Sequence, residues 1–157
     1  MSRPAIRIAI ADDEPFVRTA LASLICRQPD MDLVGVTIDA DGLLALVEKH
    51  LPDVVLTDLR MPGDVPQIIR SIDRMENAPA VIVFSAFDEV VALHASLEAG
   101  ATAYILKELS PREILSTLRD HATWRAALLE AGSWTCIARR GAGAPSNPSP
   151  QARGSSS

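Results

Sequence analysis

The chain has 157 residues, of which 48% are hydrophobic and 22% are charged, so it can bury the core of one ordinary domain. Its formal net charge at pH 7 is −5. The only charged residues after Glu130 are Arg139, Arg140 and Arg153, so the body of the chain is more acidic than this total suggests. An acidic body argues against non-specific binding to nucleic acid, which requires a basic face.

Cysteine usage and the amino terminus both predict a cytoplasmic protein. Cys26 and Cys136 are too few and too far apart to suggest a disulfide framework, so we expect reduced thiols. The first four residues lead into a six-residue apolar run, which is too short for a signal peptide or a membrane span. We therefore expect a cytoplasmic location and no association with membranes.

Strand-like apolar runs alternate with helical patterns five times along the chain. The predicted strands are residues 6–11, 33–38, 53–57, 80–84 and 102–106. The predicted helices are one after Pro15, then residues 41–50, 65–75 and 89–99, and one from Pro111 to about Gly132. Five such repeats with right-handed crossovers predict an α/β fold. We expect a doubly wound, five-stranded parallel sheet in the flavodoxin-like order 2-1-3-4-5, with helices on both faces.

The beginnings of the first and last helices carry the clearest local signals. Pro15 suits a first helical turn, where a missing N–H costs nothing. Ser110-Pro111-Arg112-Glu113 is a capping box with proline in the first turn. The buried face of the first helix is expected to comprise Val17, Ala20, Leu21, Leu24 and Ile25.

The last part of the chain differs in composition from the rest. We expect one folded domain over residues 1–132, with its core in about 5–120, and an extension over residues 133–157. From about residue 141 the chain consists largely of Gly, Ala, Pro and Ser, so we expect disorder there. Two arrangements are open for the start of the extension. Trp124 and Trp134 either pack it onto the domain or form the domain's partly exposed end.

Four polar signals follow predicted strands: the pair Asp12-Asp13, then Asp58, Ser85 and Lys107. Parallel strands all direct their carboxyl ends to one edge of the sheet, where open α/β sheets bind their ligands. Taken singly, an Asp in such a place is more often a helix cap or a turn residue, and a lone Ser or Lys is usually solvated. The coincidence of all four at one edge favours a shared site.

Three carboxylates at one edge need a compensating charge. At roughly 4–5 Å, each pair repels by about 3–4 kcal/mol for an effective dielectric constant of about 20. A divalent cation offsets that repulsion, and Mg²⁺ fits best because it binds through one or two carboxylates and bridges to phosphate. Lys107 and Ser85 would bind phosphoryl oxygens, and Asp58, in the middle of the edge, is the expected nucleophile for an aspartyl-phosphate.

Residues 5–120 resemble the receiver domain of a bacterial two-component response regulator. The motifs that carry the resemblance are Ala11-Asp12-Asp13-Glu14-Pro15, Thr57-Asp58-Leu59-Arg60-Met61-Pro62-Gly63, Phe84-Ser85-Ala86 and Tyr104-Ile105-Leu106-Lys107. The combination and its spacing are specific, although no single motif is. The segment 106–111, with no proline directly after the lysine, looks most like the LuxR-type branch of these regulators.

The resemblance implies a phosphorelay function. Asp58 would accept a phosphoryl group from a sensor histidine kinase or a histidine phosphotransferase. Mg²⁺ would be bound by Asp13, Asp58 and the backbone carbonyl of Arg60, with Asp12 contributing directly or through water.

The resemblance also implies a route for the signal. Ser85 and Tyr104 would form a switch pair, with Lys107 binding the phosphoryl group. The output face would comprise residues 89–99, 102–106 and 111–119, and it would bind a downstream protein or a second copy of the chain.

Two departures from the family pattern stand out. After Met61-Pro62-Gly63 the family usually continues Met-Asp-Gly, whereas this chain has Asp64-Val65-Pro66. The loop is therefore about one residue shorter and lacks that glycine, which would tolerate a positive φ. The LuxR-type branch also carries a helix-turn-helix domain, and nothing after Leu129 reads as one, so we expect no DNA binding.

Two other functions stay open. The first is a receiver-like interaction module that is not phosphorylated. The reason for considering it is the shortened loop beside Asp58. The second, less favoured, is a phosphatase of the haloacid dehalogenase type, which also uses Asp, Ser or Thr, Lys and Mg²⁺ on a parallel sheet. That family places an Asp-x-Asp motif after its first strand, and Asp12-Asp13-Glu14 lacks this spacing. We therefore expect a signalling protein and not an enzyme.

Overall fold

A computed structural model of the chain describes residues 4–86 and 90–134. Within these ranges, five strands alternate with five helices, as the sequence predicts. The strands are β1 (Ile6–Ala11), β2 (Met31–Thr37), β3 (Val54–Asp58), β4 (Ala80–Ser85) and β5 (Ala103–Leu106). The helices are α1 (Pro15–Cys26), α2 (Ala40–His50), α3 (Val65–Asp73), α4 (Val90–Ala99) and α5 (Pro111–Glu130). The expected disorder beyond residue 141 concerns residues outside those described.

The strands form one parallel sheet in the order β2-β1-β3-β4-β5. This confirms the predicted flavodoxin-like order. Strands β1 and β3 are neighbours, and their register pairs Ala11 with Thr57. Because Asp12 and Asp58 each follow directly in sequence, the topology places their backbones side by side at the carboxyl edge of the sheet.

Two apolar cores cover the two faces of the sheet. One core contains Ile25 of α1 and Leu118 of α5, and the other contains Val47 of α2, Ile69 of α3 and Ala99 of α4. Every residue of β3 and β4 is buried. Burial on both faces explains why these strands read as unbroken apolar runs in the sequence.

Several predicted boundaries were wrong by one or two residues. Asp58 and Ser85 are the last residues of β3 and β4, not the first residues after them, because the strand pairing continues to these positions. Strand β2 begins at Met31, two residues before the predicted start. Helix α3 ends at Asp73, two residues before the predicted end. Polar residues at strand ends still pair through their backbones, so side-chain polarity alone does not locate the end of a strand.

Helix α1 is buried along a narrower stripe than the sequence predicts. Leu21 and Ile25 are buried, whereas Ala20 is exposed. Ala20 lines a surface groove beside α5, so it lies on the flank of the helix and not on its core face. The predicted capping box of α5 is present, with the Ser110 hydroxyl accepting from the Glu113 N–H and the Glu113 carboxylate accepting from the Ser110 N–H.

Residues 131–134 are the described part of the chain after α5, and Trp134 in this segment packs at the amino edge of the sheet. Trp134 is 7% exposed, and its indole N–H donates to the Ala78 carbonyl at 2.8 Å. The guanidinium of Arg125 donates to the same carbonyl at 2.8 Å. The rings of Trp124 and Trp134 meet edge to face with centroids 5.6 Å apart. Of the two arrangements that the sequence left open, the described part of the extension, up to Trp134, therefore has the packed one.

None of the helices within the described ranges combines the length and the apolar character that crossing a membrane requires.

Candidate functional site

The structure brings four of the predicted site residues together at the carboxyl edge of the sheet. Asp12 follows β1, Asp58 ends β3, Ser85 ends β4 and Lys107 follows β5. The Lys107 ammonium lies 3.3 Å from a carboxylate oxygen of Asp58 and 4.0 Å from one of Asp12. Its backbone N–H donates to the Ser85 carbonyl at 2.9 Å. The site therefore joins the ends of four strands, as the sequence predicts.

Three carboxylates form a compact acidic cluster beside this lysine. Asp12, Asp13 and Asp58 each offer one oxygen, and these oxygens lie within 4.8 Å of one another. Asp12 and Asp58 are buried, whereas Asp13 is exposed. The cluster thus has two members inside the protein and one that faces solvent.

Asp12 is a buried carboxylate whose charge is only partly compensated. Its side chain is 1% exposed, and one oxygen accepts the Glu14 N–H at 2.9 Å. The other oxygen, Oδ2, is buried and accepts no hydrogen bond from the described residues. Burial raises the pKa of Asp12 from an ordinary 3.8 to about 6, and the neighbouring carboxylates of Asp58 and Asp13 add to the rise.

Asp58 is buried too, but more groups stabilise its charge. One carboxylate oxygen accepts the Leu59 N–H at 2.8 Å, and the Arg60 N–H is a further backbone donor to the carboxylate. Burial raises the pKa of Asp58 above its ordinary value, and the charge of Lys107 is the largest influence that opposes the rise. Asp58 is therefore a buried carboxylate held by two backbone N–H groups and one ammonium.

Lys107 is positioned by its surroundings. Its side chain is 24% exposed, and its ammonium lies 5.7 Å from the centroid of the Phe84 ring. A cation over an aromatic face is attracted by the quadrupole of the ring. Phe84 therefore helps to hold the ammonium over the acidic cluster.

Ser85 and Tyr104 occupy neighbouring strands. Ser85 is fully buried, and its hydroxyl donates to the Ala86 carbonyl at 3.0 Å. Tyr104 pairs with Val83 in the β4–β5 register. Because Val83 and Ser85 are two residues apart, they share one face of the sheet, and Tyr104 is the diagonal neighbour of Ser85 on that face. Tyr104 is half-buried against the core that also contains α4.

Sequence reasoning missed two parts of the site. The N–H groups of Leu59 and Arg60 are backbone donors, so no side-chain pattern reveals them, although the turn after Asp58 was the place to look for such groups. Phe84 is predicted from the sequence as part of a buried strand and of the motif Phe84-Ser85-Ala86, but its contact with the Lys107 ammonium is not predicted. Its position directly before Ser85 was the available signal.

The donor set fits a hard divalent cation. Mg²⁺ prefers oxygen ligands, and three carboxylates converge within its reach. The buried Oδ2 of Asp12, which accepts no hydrogen bond within the described part of the chain, is a ligand atom in need of a partner. The exposed carboxylate of Asp13 gives the cluster an opening to solvent.

Comparisons with known proteins agree with this geometry. The family model of the response regulator receiver domain matches residues 8–119. The "Probable transcriptional regulatory protein NarL" of Mycobacterium tuberculosis is 33% identical over 129 residues, which cover 80% of this chain and 60% of that protein. This chain thus spans about three fifths of the length of that curated relative.

Solved structures give the same result. The signal receiver domain of a NarL response regulator from Mycobacterium tuberculosis is 31% identical, with a TM-score of 0.72, over 77% of this chain and 98% of that chain. The isolated receiver domain of RcsB from Salmonella enterica serovar Typhimurium, solved in the presence of the phosphomimetic BeF₃⁻, is 25% identical with a TM-score of 0.64. That match covers 87% of this chain and 98% of that chain. With its five-stranded fold and its acidic cluster, this chain belongs to the receiver domain family of two-component response regulators.

Proposed function

We propose that the protein is a phospho-acceptor whose Asp58 takes a phosphoryl group from a sensor histidine kinase or a histidine phosphotransferase. The observation that carries the proposal is the environment of Asp58. Its buried carboxylate lies 3.3 Å from the Lys107 ammonium and belongs to an acidic cluster in which Asp12 has an oxygen without a hydrogen bond from the described residues. Such a carboxylate is poised as a nucleophile and not as a structural cap.

The chemistry of the transfer follows from these groups. A carboxylate oxygen of Asp58 forms the new bond to phosphorus as the bond between phosphorus and the leaving group of the donor breaks. Lys107 pairs with Asp58 before transfer and with a phosphoryl oxygen afterwards. The Ser85 hydroxyl turns from the Ala86 carbonyl to donate to another phosphoryl oxygen. A related receiver was solved with a phosphomimetic, which supports this assignment.

We propose Mg²⁺ as the cation of the site. Asp12, Asp13, Asp58 and the backbone carbonyl of Arg60 would hold it, with Asp12 acting directly or through water. When bound, the cation neutralises the carboxylates and the charge that develops on the phosphoryl oxygens.

The output surface is proposed to be the face built from α4, β5 and α5. Phosphorylation adds charge at the carboxyl edge of the sheet, and Ser85 moving towards it would allow Tyr104 to turn inward. On α4, Val90 is 67% exposed and Val91 is 85% exposed. Exposed apolar side chains suit a protein partner, or a second copy of the chain, better than nucleic acid.

The test is labelling with a small phosphodonor. The protein is incubated with acetyl phosphate and Mg²⁺, and the modified residue is identified by mass spectrometry. We expect labelling of Asp58 and its loss in Asp58→Asn. Asp32→Asn, which alters an exposed aspartate of β2, is the matched control and should label normally. Full labelling of Asp58→Asn at another residue would contradict the assignment, and no labelling of the wild type would favour the unphosphorylated interaction module.

A further inference from the structure

We propose that the first turn of α2 positions the phosphorylation loop, and that Ala40 and Gly63 are the positioning residues. The phosphorylation loop is defined here as residues 59–64, which connect β3 to α3. The proposal rests on the proposed function, because it concerns the loop that carries two of the donors to Asp58.

The phosphorylation loop is anchored at both ends. At its start, the N–H groups of Leu59 and Arg60 bind the Asp58 carboxylate. At its end, the Asp64 carboxylate caps α3 by accepting the Gln67 N–H at 3.1 Å. Only Met61, Pro62 and Gly63 lie between these anchors, so a displacement in the middle of the loop must reach one of them.

The middle of the phosphorylation loop rests on α2. The Ala40 N–H, at the first position of that helix, donates to the Pro62 carbonyl at 2.9 Å. Ala40 is fully buried, Met61 is 8% exposed, and both belong to the same core cluster. The helix itself is held in place because Asp39 caps it by accepting the Gly42 N–H at 2.6 Å.

Gly63 makes this close approach possible. Its φ is +101°, a backbone conformation that residues with a Cβ rarely adopt. A Cβ at this position would lie 2.8 Å from the Cβ of Ala40. The family pattern has a further glycine after position 63, and this chain lacks it. In the structure, the residue of this loop with a positive φ is Gly63.

The positioning role follows from this chain of contacts. Moving residue 63 away from α2 shifts the Pro62 carbonyl and, through Met61, the N–H groups that bind Asp58. It also moves the Arg60 carbonyl, which is a proposed cation ligand. Reactive groups lose effectiveness steeply when they are misplaced by fractions of an ångström to an ångström.

The experiment compares three variants with the wild type. Gly63→Ala introduces both the collision with Ala40 and the unfavourable φ. Gly63→Ala combined with Ala40→Gly retains the unfavourable φ but removes the collision. Gly132→Ala is the matched control for φ alone, because Gly132 has a φ of +75° and a Cβ there meets nothing within 4 Å. The readouts are the labelling rate with acetyl phosphate, the backbone amide NMR shifts of Leu59 and Arg60, and Tm.

We expect Gly63→Ala to slow labelling by about tenfold or more and to shift both amides. The double variant should recover part of the rate and part of the shifts, and Gly132→Ala should change Tm alone. If Gly63→Ala lowers Tm as Gly132→Ala does but leaves the rate and both amides unchanged, the positioning role is wrong. If the wild type is not labelled at all, the proposed function fails, while the amide shifts still decide whether α2 positions the loop.

Discussion

Replacing Asp12 by asparagine should stabilise the metal-free protein at neutral pH. Asp12 is buried, and its Oδ2 accepts no hydrogen bond from the described residues. Burial and the neighbouring carboxylates therefore make its ionised form costly. Asparagine has nearly the same shape and keeps an oxygen that can accept the Glu14 N–H, which donates to Asp12 Oδ1 at 2.9 Å. The variant thus removes a charge while preserving the contact.

The size of the effect follows from the pKa of Asp12. Its rise from 3.8 to about 6, at about 1.4 kcal/mol per pKa unit, corresponds to at most about 3 kcal/mol. The attraction of Lys107, at 4.0 Å, is lost in the variant and is already included in that pKa. We therefore expect a gain of up to about 3 kcal/mol in the free energy of unfolding at pH 7.5.

The sign of the pH dependence is fixed by the direction of the shift. The folded protein binds the proton of Asp12 more tightly than the unfolded chain does. Protonation of this carboxyl therefore stabilises the folded state of the wild type relative to the unfolded state. That advantage is complete below about pH 4, declines as the pH rises, and is lost above about pH 6. Asp58, whose pKa is also raised by burial, contributes in the same direction. The Asp12→Asn variant lacks the contribution of residue 12.

The assay is urea unfolding of the wild type and Asp12→Asn in EDTA at pH 4.5 and pH 7.5. The variant should be more stable at pH 7.5, and the difference should shrink at pH 4.5. Adding Mg²⁺ at pH 7.5 should stabilise the wild type more than the variant, because the ligand binds only the folded state. Asp32→Asn, at an exposed site, controls for net charge. Equal stability of the variant and the wild type at pH 7.5 in EDTA would refute the reasoning.

Two further predictions concern the opposite edge of the sheet and the output face. Trp134→Phe removes the N–H that binds the Ala78 carbonyl at 2.8 Å, so urea unfolding should show a loss of about 1–2 kcal/mol. Trp124→Phe is the control, and an equal loss there would assign the effect to the ring alone. Beryllofluoride with Mg²⁺ should shift the backbone amide NMR signals of Tyr104 and α4, and shifts confined to residues around Asp58 would contradict output through that face.

The sequence was sufficient to predict the fold and the meeting of Asp12, Asp58 and Lys107 at one edge of the sheet. Strands buried on both faces read as continuous apolar runs, and the alternation with helices restricts the topology to very few choices. Once the order 2-1-3-4-5 is assumed, Asp12 and Asp58 must meet, because they follow paired residues of β1 and β3. Lys107 is placed in the same way by β5.

What the sequence could not predict depends on backbone geometry. The donors Leu59 and Arg60 act through N–H groups that every residue other than proline carries, so their identities hold no signal. The contact of Gly63 with Ala40 depends on a distance between a loop and a helix 23 positions apart in the numbering. Trp134 was ambiguous because an apolar residue beyond the last helix is buried only if the chain turns back, and pattern alone does not show that turn.

The unfavourable charge of Asp12 persists because the sheet holds its strands in a fixed register. Two apolar cores fix the register of β1 and β3, so the buried carboxylates of Asp12, directly after β1, and Asp58, at the end of β3, cannot move apart to relieve their repulsion. Lys107 offsets only part of that cost, since the pKa values of both Asp12 and Asp58 remain raised. A cation that enters beside the exposed Asp13 would find its ligands already assembled. Binding of such a cation would relieve the repulsion that destabilises the metal-free protein. The free energy of unfolding without metal therefore measures how large that repulsion is.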